Sequence, residues 1–187
     1  MASNVNKSDL FEQVMDHGVD MRARIVYVDD EVDEKLRKRV VRAIKLLDRT
    51  EGPITIVLSC EGGVVDDGMA IYGAIRTCRN KVTVEVQGLA ASMGSIIMQA
   101  GDYIVMEESS KIMIHLGEFS CEDHHNNARN QLEDNERHNE WMIDLFIKKI
   151  KQKRPRYTRK QFEQEIQFDR FIYADEALKL GLIDKII

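Results

Sequence analysis

Two β-branched runs, Ile54 to Leu58 and Val82 to Val86, constrain the fold more than any other feature, because each gives way to small residues and then to a helical pattern. After the first run comes Glu61-Gly62-Gly63, and Val64 to Cys78 then carries Met69, Ile71, Tyr72 and Ile75 at helix-like spacing. Upstream, Arg24 to Val28 reads as another strand. Val32, Leu36, Val40, Ala43 and Leu47 follow at helical intervals until Gly52-Pro53 breaks the pattern. Strands and helices alternating in units of about 30 residues imply right-handed crossovers, a largely parallel sheet and working loops at the carboxyl ends of the strands. The chain is therefore expected to be an α/β protein. Gly62-Gly63 and Ser92 both fall on such loops.

Ser92 lies in Gly88-Leu89-Ala90-Ala91-Ser92-Met93-Gly94-Ser95, at a strand-to-helix junction. Small neighbours let the backbone pass close to a substrate, and free N–H groups at a helix start stabilise negative charge, which is what a nucleophilic serine requires. The plain alternative is a helix packed tightly on a sheet. Beyond Ser92, Tyr103 to Met106 and Lys111 to Ile114 read as short strands, the second ending at His115. A long helix is expected from Ser120 to Lys153. Its first half, Glu122 to Glu140, has only Ala128 and Leu132 as apolar residues, whereas Trp141, Met142, Leu145, Phe146 and Ile150 form a stripe in the second. The first half should project from its own core, into solvent or a partner subunit. Pro155 ends this helix, and Thr158 with Gln161 resembles a capping box opening a short helix to Ile166. Asp169 comes next, ahead of a small helix from Ala174 to Leu180, Gly181 and a closing strand, Leu182 to Ile187. At the other end, Ser8 could cap a short helix bearing Leu10, Phe11, Val14 and Met15, closed by Gly18, within an N-terminal arm over residues 1–24.

Composition narrows the function classes. A chain of 187 residues, 43% hydrophobic, suits one globular domain. There is no run of about 18 apolar residues and no signal-peptide core near the start, so a soluble, cytoplasmic protein with no membrane partner is expected. Cys60, Cys78 and Cys121 are an odd set that fits free thiols in a reducing compartment. A net charge of −5 argues against nucleic acid as the main ligand. The run Lys148 to Lys160, with eight basic residues, reads as a solvated helix end before it reads as a contact for nucleic acid or an acidic partner. Cys121-Glu122-Asp123-His124-His125 holds ligand types, but its spacing matches no zinc pattern, so no metal and no cofactor are expected.

A serine hydroxyl is a poor nucleophile unless a base takes its proton, and that base needs a carboxylate to hold its tautomer. Ser92, His115 and Asp169 could fill those roles. Taken singly, each has an ordinary reading: a packed helix start, a strand-end histidine, a surface or capping aspartate. Gly62-Gly63 could be a plain turn. Alternatively, the Gly63 N–H beside that of Met93 would form a two-donor oxyanion hole, worth about 3 kcal/mol of barrier per donor.

Four segments in order, Ser59 to Tyr72, Gly88 to Ser95, Met113 to His115 and Phe168 to Asp184, resemble the ClpP family of serine peptidases, the likeness spanning roughly residues 8 to 187. The resemblance implies Ser92 as nucleophile, His115 as general base, Asp169 as the orienting acid and Gly63 and Met93 as oxyanion donors. Gly62, Val64 and Leu116 would then contact substrate. It also implies a crotonase-like spiral of ββα units in one domain over residues 1–187, with a protruding handle helix over 120–153. Homo-heptameric rings would form, two of them able to stack through the handle into a 14-mer, enclosing sites that cut polypeptides delivered by a Clp-type ATPase. Two departures matter. The family usually has Pro between Ser and the glycine pair, where this chain has Cys60-Glu61, and Gln-Pro after the histidine, where this chain has Leu116-Gly117. Both alter the cleft wall, so a shifted peptide preference is expected. Few residues precede the first helix and the handle's first half is polar, which suits a member working without an ATPase or a second ring, such as a phage head-maturation peptidase. The rivals are a crotonase-superfamily acyl-CoA hydratase or isomerase with glutamates as acid and base, a Ser-Lys peptidase of the signal-peptide-peptidase type, and a structural subunit with a dead site.

Overall fold

In the computed structural model, which describes residues 14–117 and 124–187, the two β-branched runs become the centre of the sheet. The strands in chain order are β1 (Val19–Asp20), β2 (Ile25–Val28), β3 (Ile54–Cys60), β4 (Val82–Ala91), β5 (Tyr103–Met106), β6 (Lys111–Ile114), β7 (Arg170–Tyr173) and β8 (Lys185–Ile186). The helices are α1 (14–17), α2 (Glu34–Leu47), α3 (Val65–Arg76), α4 (Met93–Met98), α5 (His125–Lys153), α6 (Arg159–Glu165) and α7 (Ala174–Leu180). The main path runs β1-β2-β3-β4-β5-β8, parallel from β2 onward, with β1 antiparallel to β2. Alternating residues explain its centre: Val26, Val28, Ile54, Ile56, Leu58, Val82, Val84 and Val86 are all buried. Helix α2 adds Leu36, Val40, Ala43, Ile44 and Leu47, and starts where the Asp33 side chain accepts the Leu36 N–H. In α5 the buried residues are Met142, Ile143, Phe146, Ile147 and Ile150, with the Phe146 ring 5.7 Å from that of Phe162 in α6. Among the described residues, no helix is long and apolar enough to cross a membrane.

The expected α/β architecture is observed, and most elements fall where the periodicity places them. The differences have local causes. Strand β4 does not stop at Val86 but continues to Ala91, because Gly88, at φ +79°, bends the strand instead of ending it. At that bend the register with β3 shifts, from Leu58 opposite Val86 to Cys60 opposite Ala90. On its other side β4 exchanges β5 for β6: Val86 pairs with Met106, but Leu89 to Ala91 pair with Lys111 to Met113. The buried Ser110 stitches the bend, its Oγ accepting the Gly88 N–H at 2.7 Å. Strands β1 and β7 are additional to the sequence-based expectation, each being short and half-exposed, so that neither carries a full alternation. The segment read as an N-terminal arm thus supplies a strand, and Gly18, at φ +58°, closes α1 by donating its N–H to Val14 O. The closing strand is confined to Lys185–Ile186, since Leu182 and Ile183 are buried under α7 after the left-handed Gly181. The capping box of Thr158 and Gln161 forms as read. Residues 8–13 and 120–123 of the expected first and long helices lie outside the described residues.

Helix α4, which starts immediately after Ser92, lies against β3 at a position only glycine permits. A Cβ on Gly94 would meet the Cys60 carbonyl oxygen at 2.7 Å. Gly94→Ala is therefore expected to cost about 1–3 kcal/mol, read as a lowered urea midpoint at unchanged slope. An unchanged midpoint would show that the contact between α4 and β3 is loose.

Candidate active site

The bent β4 delivers Ser92 in a conformation that L residues rarely adopt, with φ 49° and ψ −119°. The surroundings hold it there. The Ser92 N–H donates to Met113 O of β6 at 2.9 Å, and its carbonyl accepts the Ser95 N–H at 3.0 Å and the Ser95 hydroxyl at 2.7 Å. With the backbone pinned on both sides, Ser92 Oγ lies 2.9 Å from His115 Nε2.

His115 and Asp169 meet because β6 and β7 are antiparallel. Ile114 is opposite Arg170, so the residues one step outward, His115 and Asp169, flank the same end of the pair. Asp169 Oδ1 is 3.4 Å from His115 Nδ1. The histidine is largely covered, with 22% of its side chain exposed, whereas Asp169 is 57% exposed. Arg170 does not compete for the Asp169 carboxylate, since its guanidinium is taken up by Tyr157, Glu165 and Glu176. The tautomer that satisfies both contacts has the proton on Nδ1, facing Asp169, and a lone pair on Nε2, facing the serine.

The Gly62-Gly63 turn abuts this group. A Cβ on Gly62 would lie 2.7 Å from Ser92 Cβ and 3.1 Å from the Met93 nitrogen, so the turn and the start of α4 are in van der Waals contact. Val32 clamps the turn from behind. Its N–H donates to Gly62 O and its carbonyl accepts the Val64 N–H, both at 2.7 Å. Among the described residues, neither the Gly63 nor the Met93 N–H has a protein acceptor. Two free donors therefore stand beside Ser92, the second at a helix start. Val64 and Leu116, expected to contact substrate, are 53% and 41% exposed despite being apolar.

Cys60 is the residue that sequence reasoning left without a role. Its buried thiol donates to Asp30 O at 3.2 Å and accepts the Gly62 N–H at 3.4 Å, a second tie on the turn beside that of Val32. Burial pushes the thiol pKa up, so Cys60 is no rival nucleophile. The only advance signal was its adjacency to the glycines. Beside the turn opens a cleft of about 680 Å³, lined by Asp29, Asp30, Glu31, Glu61 and Leu89 along with the glycines. Among the described residues, no group of three or more His, Cys, Asp or Glu side chains is arranged to hold a metal ion, and Cys121 to Asp123 lie outside them.

The Clp protease family model matches residues 11–187. An ATP-dependent Clp protease proteolytic subunit of Deinococcus radiodurans is 29% identical over 171 residues, covering 89% of this chain and 81% of that protein. An ATP-dependent Clp protease proteolytic subunit 1 of Protochlamydia amoebophila is 30% identical over 194 residues, covering 97% of this chain and 90% of its own length.

Gly63 is the tightest point of the turn. Its φ is +139°, and a Cβ there would fall 2.3 Å from Val32 O. Gly63→Ala should cost about 2–5 kcal/mol from backbone strain and overpacking together, measured by chemical denaturation. A loss below about 1 kcal/mol, close to the scatter of ordinary surface substitutions, would show the turn to be free of Val32.

Proposed function

The chain belongs to the Clp protease family, and from that premise we propose that it is a serine endopeptidase using Ser92, His115 and Asp169. The observation that carries this reading is the 2.9 Å approach of His115 Nε2 to Ser92 Oγ. In the proposed reaction His115 Nε2 removes the Ser92 proton as Oγ attacks a peptide carbonyl. The Nδ1–H faces Asp169, whose charge stabilises the imidazolium that forms. The negative oxygen of the tetrahedral intermediate takes hydrogen bonds from the Gly63 and Met93 N–H groups. His115 then passes its proton to the departing amine. The acyl group left on Ser92 is released by a water that His115 deprotonates in turn.

Gly62, Val64 and Leu116 are proposed to border the bound peptide, with the two exposed apolar side chains packing on its flanks. The carboxylates along the neighbouring cleft favour segments carrying Lys or Arg over acidic ones. A hydratase of the crotonase type would leave the Ser92–His115 pair without a purpose, so the peptidase reading is the more economical. On the larger scale we propose one peptidase domain over residues 1–187, cytoplasmic, assembling as homo-heptameric rings with α5 as the handle. The relatives above are named as proteolytic subunits of ATP-dependent Clp proteases, and a Clp-type ATPase is the corresponding candidate partner here, although the few residues expected before the first helix suit a member working without one. Leu132 is the one large apolar side chain exposed along the described first half of α5, so stacking of two rings would gain little from apolar burial there.

Short fluorogenic peptides test the chemistry without an ATPase. The assembled protein should cleave them, Ser92→Ala and His115→Ala should abolish cleavage, and Asp169→Asn should lower kcat by about 10²- to 10⁴-fold. Cleavage that survives Ser92→Ala would contradict the assignment.

A further inference from the structure

The chain leaves the sheet immediately before His115. Ile114 is the last residue of β6 with a partner in β7, and Leu116 beyond it is exposed. The next tie is made by a side chain: the Gly117 N–H donates to Asn139 Oδ1 of α5 at 3.0 Å. Asn135 stands one helical turn earlier on the same face. A Cβ on Gly117 would come within 3.2 Å of Asn135 Oδ1 and 3.4 Å of Asn139 Oδ1, so the backbone runs closely against both carboxamides. In the stretch of α5 before Trp141, only Ala128, Asn135, His138 and Asn139 are half-buried, the other described residues being exposed. The same face is anchored to the core. The Trp141 ring packs edge-on against Tyr72 at 5.2 Å and lies stacked 6.0 Å from His138.

We propose that Asn139, with Asn135 beside it, is a positioning residue that clamps the segment after His115 to α5 and so keeps the imidazole aimed at Ser92. This rests on the peptidase reading above. The imidazole must hold Nε2 on the serine and Nδ1 on an aspartate that is itself exposed, and a main chain free on one side would let the ring swing. Ser92 is fixed from β6 through Met113 O, so its geometry does not need the clamp. Only the histidine does. The polar character of this half of the helix thereby acquires a role other than solvation: the carboxamide oxygen offers an acceptor to a backbone N–H that has left the sheet.

The test is the rate at which a fluorophosphonate modifies Ser92, measured over a range of reagent concentrations to separate the maximal rate from half-saturation. Asn139→Ala should lower the maximal rate about 10- to 100-fold, the usual consequence of a small misplacement, with half-saturation little changed. Asn139→Asp keeps an acceptor of the same shape and should restore the rate to near the parent's, an effect that loss of packing alone would not give. Should Asn139→Ala fail to fold, the Asp variant and Asn139→Leu, which removes the acceptor while filling the space, decide the matter. Labelling of both acceptor-less variants at the parent's rate, or of Asn139→Asp as slowly as Asn139→Leu, would overturn the clamp and leave the peptidase intact. A parent that takes no label would instead overturn the peptidase reading and the clamp with it.

Discussion

The site depends on a strand of four residues. β6 runs parallel to the end of β4 on one side and antiparallel to β7 on the other, and these two registers decide which residues share its carboxyl end. Met113 opposite Ala91 puts Ser92 one step beyond the pairing, and Ile114 opposite Arg170 brings Asp169 back beside His115. Residues 92, 115 and 169, far apart in the chain, meet through ladder hydrogen bonds. A one-residue slip of either register would turn every side chain of β6 to the other face and dissolve the group. The bend at Gly88 is what makes this possible, because it frees β4 from β5 and opens its edge to β6.

The strained serine is the other half of the site. A non-glycine residue at φ 49° carries a penalty of about 1–3 kcal/mol and persists where its neighbours over-determine it. Here the neighbours are the Met113 carbonyl, the Ser95 hydroxyl and the glycine turn pressed against Ser92 Cβ. That turn is braced in its own right by Val32 and Cys60. The outcome is a hydroxyl whose position is set before any substrate arrives, beside two N–H groups that have no protein acceptor among the described residues. Rigid support of this kind is what electrostatic stabilisation of a transition state requires.

Much of this was legible in the residues. The strands at Ile54 and Val82, the helices following them, the capping box at Thr158 and the polar-to-apolar change along α5 all follow from period and composition. Ser92 and the glycine pair were visible as small-residue loops after strands. What periodicity could not convey was pairing. Asp169 had no local mark distinguishing it from a cap, because its relevance comes from β7, whose Phe171 and Tyr173 are roughly half exposed and do not alternate like core residues. Cys60 was marked only by its place beside the glycines and Asn139 not at all, since each acts on a backbone N–H whose location is a property of the tertiary fold. Gly88 could be read as a stop and proved to be a bend, a distinction that rests on which neighbours the strand finds beyond it.

The most direct measurement is the intact mass of the assembled protein after exposure to a fluorophosphonate, followed by a peptide map of the modified chain. A single adduct is expected, located on Ser92 and absent from Ser92→Ala. An adduct of equal yield on the Ser92→Ala chain, or an assembled parent that gains no mass at all, would contradict the Ser92 assignment.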